Sequence, residues 1–172
     1  MVHPSEAAMT STRVELLQAM PVFGALREDC LALLLAHARE VAVPQGGHFF
    51  HEGDEANSMF VLESGQVSVV KGWHGHAFVL HRLQAGDCFG EMALMDMCPR
   101  SASVRAEHDC RAIEIGADHL LLLYEHDIEQ FALIQMNLGR EVCRRLRLTD
   151  ELLFRARMGE PPVHAVPAFR AV

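Results

Sequence analysis

Apolar residues recur at helical spacing at Val14, Leu16, Leu17 and Met20 and stop at Pro21, which predicts a helix closed by the apolar turn Val22-Phe23-Gly24-Ala25-Leu26. A second helix is expected over 27–37, with Leu31, Leu33, Leu34 and Leu35 on its buried face. From Arg39 the period shortens to strands broken by turn residues. Val41 and Val43 alternate before Pro44-Gln45-Gly46-Gly47, and His48-Phe49-Phe50 leads into Glu52-Gly53-Asp54. Met59 to Leu62 ends at Glu63-Ser64-Gly65, and Val67 to Val70 runs to Lys71-Gly72. Beyond the His74-Gly75-His76 turn come Ala77 to Leu83, then Gln84-Ala85-Gly86-Asp87. Ser103 to Arg105 and Arg111 to Ile115 supply the closing strands. Short strands at this spacing, separated by glycine turns, predict a sandwich or barrel.

After Ile115 the period is helical again. One helix is expected over 117–124 and a longer one over 127–154, whose apolar stripe takes in Phe131, Ile134, Leu138, Val142, Leu146 and Leu152 or Leu153. The spacing is close to a heptad: the stripe would pack on the barrel, or, since the helix is longer than one small barrel can cover, part of it would self-associate. Residues 155–172 include Pro161-Pro162 and Pro167 without a period and read as a disordered tail; residues 1–12 read as a flexible lead, leaving one domain over 13–154.

Composition narrows the class. A chain of 172 residues, half of them hydrophobic, suits a single domain with a real core. Its net charge of −8 disfavours a nonspecific hold on nucleic acid. The N-terminus has neither the basic start nor the apolar run of a signal peptide, and Leu120 to Tyr124 is far too short for a membrane span. Cys30, Cys88, Cys98, Cys110 and Cys143 are scattered and odd in number, suggesting free thiols, a reducing cytoplasm and neither a disulfide framework nor a zinc site.

The densest candidate chemistry lies between Phe89 and Val104. Gly90 has no Cβ, so a ligand can approach its backbone closely, and the helix-forming residues behind it would aim free N–H groups at the same place. Arg100 carries a planar fork suited to two phosphate oxygens, while Glu91, an acceptor, suits a sugar hydroxyl. A phosphate joined to a ribose fits both. Taken alone, Glu91 would equally suit a first-turn helix acid and Arg100 a solvated loop charge.

The ordered string decides between these readings. Phe89, Gly90, Glu91, Ala93, Leu94, Arg100, Ser101 and Ala102 resemble the phosphate-binding cassette of the cyclic nucleotide-binding domain family. Gly53-Asp54 through Val61-Leu62 to Gly65 is similar to the family's second signature, although Phe50, just before it, stands where a smaller aliphatic residue is commoner. The resemblance spans 14–154 and implies an eight-stranded β jelly-roll barrel with N-terminal helices and a long C-terminal helix. It also implies that Arg100 pairs with the cyclic phosphate, assisted by Ser101 and by the amides of Gly90 and its neighbours, Met92 and Ala93 included. Glu91 would take the ribose 2′-OH, and Val69, Leu80 and Leu83 would line the base, where core filling explains them equally well. Thr149 matches the position at which catabolite activators set a threonine against adenine, partly from the partner subunit, which favours cAMP over cGMP; a seam residue of the helix is the alternative. Related regulators dimerise through this helix, so the expected partners are a cyclic nucleotide, a second copy and a protein effector. No further cofactor is implied.

Two other classes fit the residues less well. A cupin-like metal enzyme would begin with a histidine pair such as His74-Gly75-His76, but Ala77 to Arg82 supplies no acidic ligand. An interaction module with a vestigial nucleotide site would not need the intact Gly90, Glu91, Arg100 and Ala102. No catalytic motif stands out, so a non-enzymatic regulator is expected.

Overall fold

The computed structural model describes residues 4–159. A helical pair, α1 (Pro4–Gln18) and α2 (Glu28–His37), precedes the strands, linked through a short 3-10 turn at Pro21–Phe23. The stretch read from sequence as a flexible lead is therefore helical from Pro4. Eight strands follow: β1 (Arg39–Val43), β2 (His48–Phe50), β3 (Ser58–Ser64), β4 (Gln66–Trp73), β5 (His76–Gln84), β6 (Cys88–Phe89), β7 (Ser103–Ala106) and β8 (Cys110–Gly116). Between β6 and β7 lies α3 (Met92–Asp96), and α4 (Ala117–His126) and α5 (Ile128–Arg157) complete the described chain.

The strands form two antiparallel four-stranded sheets, ordered β1-β8-β3-β6 and β2-β7-β4-β5. This is the jelly-roll arrangement, but no strand pairing among the described residues joins the two sheets into a closed barrel. Seven of the strands show in the sequence pattern; β6, only two residues long, is too short to register as a period.

β3 shows how the core is built. Alternate side chains of a strand leave on opposite faces. Met59 and Val61 join Ile113 and Ile115 against the helices, with Leu17, Phe23, Leu31, Leu34, Leu123, Ile134 and Leu138. Phe60 and Leu62 face between the sheets, with Val67, Phe89, Val104 and Ala112. Both faces of β3 are covered, which is why Met59 to Leu62 reads as an unbroken apolar run. Gly65 turns the chain out of β3 at φ +91°, and a Cβ there would lie 2.6 Å from the Asp109 carbonyl oxygen and from the Cys110 sulfur. Its role is to let two backbones touch.

α5 changes character along its length. Its first turn is capped by the Asp127 carboxylate, which accepts from the amides of Glu129 and Gln130, and Arg27 pairs with the same residue at 2.8 Å. Ile134 and Leu138 are wholly buried, each contributing about 1.5–3 kcal/mol, and Asn137 donates to the Gly24 carbonyl at 2.9 Å. Beyond Arg145 the stripe leaves the body of the protein: Leu146, Leu153 and Phe154 are exposed, and the helix ends three residues later than the sequence pattern places it. The expected tail beyond residue 159 lies outside the described residues.

Candidate functional site

The cassette is a tight structure. β6 ends at Phe89, whose strand partner is Phe60, and Gly90 takes φ +79° to turn the chain into α3. From there the chain runs through Met97, itself left-handed at φ 54°, and Pro99 to Arg100. The return is fixed by backbone hydrogen bonds in both directions: Arg100 N–H donates to the Asp54 carbonyl, and Gly53 N–H donates to the Arg100 carbonyl. Lys71 braces the same segment through the Ser101 carbonyl at 2.6 Å and an ion pair with Glu52. The glycine-acid signature before β3 thus clips the cassette in place.

Arg100 is 7% exposed. Its Nη1 donates to the carbonyls of Ser58 at 2.7 Å and Gly90 at 2.9 Å, and its Nη2 donates to Ser58 Oγ at 3.2 Å. Nε is buried without a partner. Burial pulls the guanidinium below its ordinary pKa, against the upward pull of Glu114, Asp54 and Glu91, yet it stays a cation at any ordinary pH. A cavity of about 280 Å³ reaches Arg100 between the sheets, where Val41, Phe50, Ser58, Phe60 and Glu114 also line it.

Glu91 is 1% exposed. Its Oε1 accepts from Arg145 of α5 at 2.7 Å, while Oε2 is buried with no partner. Arg145 also pairs with Glu141 at 3.2 Å and donates to the Cys88 carbonyl at 3.0 Å. Burial works to lower the Arg145 pKa, but the Glu91 and Glu141 carboxylates outweigh it, so the net shift is upward. Arg145 does not stand out in the run Arg144-Arg145-Leu146-Arg147: its spacing of four from Glu141 is visible in the sequence, but the burial of Glu141 is not.

The other expected site residues divide. Phe89, Ala93 and Ala102 are buried in the cassette, whereas Met92 and Ser101 are exposed. Val69 and Leu83 pack on the core between the sheets, but Leu80 does not: it is 51% exposed and falls at a bulge of β5, between Val79, opposite Val70, and His81, opposite Val69. Thr149 is exposed on α5, donating to the Arg145 carbonyl at 3.0 Å. His74 and His76 stand exposed at the β4–β5 hairpin.

The model of the cyclic nucleotide-binding domain matches residues 40–127, just over half of the chain. The chain belongs to this family. Among curated relatives of the cyclic nucleotide-binding domain, it is 31% identical over 136 residues to the cyclic AMP receptor protein of Thermus thermophilus, spanning 78% of this chain and 61% of that one. It is also 30% identical over 102 residues to the cAMP-dependent protein kinase regulatory subunit of Emericella nidulans, spanning 59% of this chain and 24% of that one. A solved cyclic nucleotide-binding domain from Methylobacillus flagellatus shares the fold, with a TM-score of 0.75 at 22% identity over 86% of this chain and 84% of that one. No described helix is long and apolar enough to cross a membrane.

The close approach at Gly90 makes that position sensitive to any side chain. In Gly90→Ala the new Cβ would lie 2.6 Å from Arg100 Nη1 and 3.3 Å from the Ser58 carbonyl oxygen, on a backbone conformation side chains avoid. The strain should cost about 1–3 kcal/mol in urea unfolding, and nucleotide titration should weaken at least about tenfold because the guanidinium must shift. A pH dependence is expected from His81, opposite Val69, whose imidazole is held below the ordinary histidine range by burial and then by the Arg145 charge. Since the folded pKa lies below the unfolded one, unfolding takes up a proton; the stabilisation is full above about pH 6.5 and is lost as pH falls toward the folded value. Unfolding free energy should therefore fall as pH drops below about 6.5, and His81→Gln should flatten that fall.

Proposed function

We propose that this protein is a cyclic nucleotide sensor that binds cAMP in preference to cGMP and reports occupancy through α5 to another chain. The observation that carries the reading is a complementary pair of sealed polar atoms in one cassette. Arg100 Nε is a cationic donor with no acceptor, and Glu91 Oε2 is an anionic acceptor with no donor. Buried polar groups are rarely left unpaired, and a ribose cyclic phosphate supplies both missing partners: phosphate oxygen to the first, 2′-OH to the second.

Because both atoms are sealed, a nucleotide reaches them only if the cassette or α5 yields. Arg145 ties the two together through Glu91 Oε1, and a hydroxyl on Oε2 would add to that tie rather than displace it. Occupancy therefore biases an equilibrium between looser and tighter positions of α5. The exposed far half of α5, with Leu146, Leu153 and Phe154, is the surface we assign to a second copy. Exposed thiols at Cys98 and Cys143 suit a cytoplasmic setting. The cAMP preference rests on Thr149, which a turn of its side chain frees from the Arg145 carbonyl.

Titration calorimetry with cAMP and with cGMP tests this directly. Tighter binding of cAMP by about tenfold or more supports the reading; binding of neither makes the chain an interaction module with a vestigial site.

A further inference from the structure

The guanidinium of Arg100 is held not only at its rim but also on its face. Its central carbon lies 4.0 Å from the centre of the Phe50 ring, and the Phe60 ring stands farther off at 5.7 Å. Phe50 is itself fixed by neighbouring aromatics, at 5.8 Å from Phe60 and 6.1 Å from Phe89, which stack on each other at 5.3 Å. This ring belongs to the one residue that departs from the pattern of the second signature.

A guanidinium has five N–H donors. Two on Nη1 go to the carbonyls of Ser58 and Gly90, and one on Nη2 goes to Ser58 Oγ. The two that remain, Nε–H and the second Nη2–H, share one edge of the plane and form the fork that grips two anionic oxygens side by side. Hydrogen bonds at the opposite rim fix where that edge lies, but they leave the plane free to rock about them. A ring against the face removes that freedom, and a desolvated cation held against an aromatic face is strongly favoured.

We propose that Phe50 is a positioning residue for the anion: it clamps the Arg100 plane so that the Nε–Nη2 edge is aimed before the ligand arrives. The proposal rests on the reading of this cassette as a cyclic nucleotide site. The clamp saves the ordering cost that a free arginine side chain meets on binding, so its removal appears as lost affinity.

The test uses the full chain with Phe50→Leu, which keeps apolar volume but no ring, and Phe50→Tyr, which keeps the ring. In cAMP titrations Phe50→Leu is expected to weaken binding about tenfold and Phe50→Tyr less than about threefold. In an Arg100→Lys background, whose ammonium has no plane to orient, Phe50→Leu should change affinity less than about twofold. Without nucleotide, the Nε–H proton signal of Arg100, assigned by its loss in Arg100→Lys, should keep its ring-shifted position in Phe50→Tyr and lose it in Phe50→Leu. Wild-type affinity in Phe50→Leu, an equal loss in the Arg100→Lys background, or an unmoved Nε–H signal each overturns the clamp. If the wild type binds neither nucleotide, the reading of the site falls, and the Nε–H comparison alone then upholds or overturns the clamp.

Discussion

Replacing Arg100 with alanine is expected to weaken cyclic nucleotide binding by about 2–5 kcal/mol, a loss of roughly 30-fold to several thousandfold, while leaving the unliganded protein close to its original stability. The first effect follows from removing the cation whose free edge faces into the cassette; a phosphate without it enters a buried place with its charge unpaired. The second follows from two opposed terms. The Ser58 and Gly90 carbonyls lose their Nη1 donor, at about 1–3 kcal/mol for a group left unsatisfied. Against this, the variant no longer buries a guanidinium whose pKa is already depressed by that burial. A net change within about 2 kcal/mol would move the melting temperature by no more than roughly 8 °C. The measurement is paired: calorimetric titration for affinity, and thermal unfolding with and without cAMP, where the ligand should raise the melting temperature of the wild type by more than that of the variant. Undiminished binding by Arg100→Ala would mean that the phosphate sits elsewhere.

That a candidate nucleotide site could be read from the sequence at all depends on how local the cassette is. Gly90, Glu91 and Arg100 lie within eleven consecutive positions, and their spacing is dictated by one turn, one short helix and one return of the chain. The same locality explains the strand reading: β4 and β5 are neighbours in sequence and in the sheet, so turn residues betray them. What the sequence hides is long-range. Ser58, whose carbonyl and hydroxyl both hold Arg100, is 42 residues away from it and looks like an ordinary strand start. Leu80 misleads for a subtler reason: it is apolar and near Leu83, but a bulge in β5 sets it between the residues opposite Val69 and Val70 and leaves it exposed. For Thr149 the position on the helix is legible and the contact is not, since within one chain the hydroxyl folds back on its own backbone.

The stripe on α5 is legible only as a stripe. Ile134 and Leu138 are core, whereas Leu146 and Leu153, on the same heptad pattern, meet solvent. A period reports that one face is apolar, not what covers it. The residue that marks the change of environment is Arg145, which holds the helix to the cassette through Glu91 and the Cys88 carbonyl.

Arg145→Ala is accordingly expected to be the most destabilising substitution on α5 outside the apolar core, by about 3 kcal/mol in chemical unfolding. Glu91 is sealed at 1% exposure and Arg145 is the single hydrogen-bond partner of its carboxylate among the described residues, so truncation strands a buried carboxylate. Glu141, also buried, keeps Arg144 and suffers less. The Cys88 carbonyl loses its donor from Arg145 as well. A surface ion pair would contribute under about 1 kcal/mol, so the size of the loss separates the two descriptions. The double variant Glu91→Gln/Arg145→Met supplies the control: with neither charge of the pair left to bury, it should recover most of the stability lost in Arg145→Ala. Its nucleotide affinity should stay low, because the neutral amide that replaces the Glu91 carboxylate is a weaker partner for a ribose hydroxyl and α5 is no longer tied to the cassette. Recovery of stability would show that the loss in Arg145→Ala comes from the stranded Glu91 carboxylate, and a double variant as unstable as Arg145→Ala would refute that.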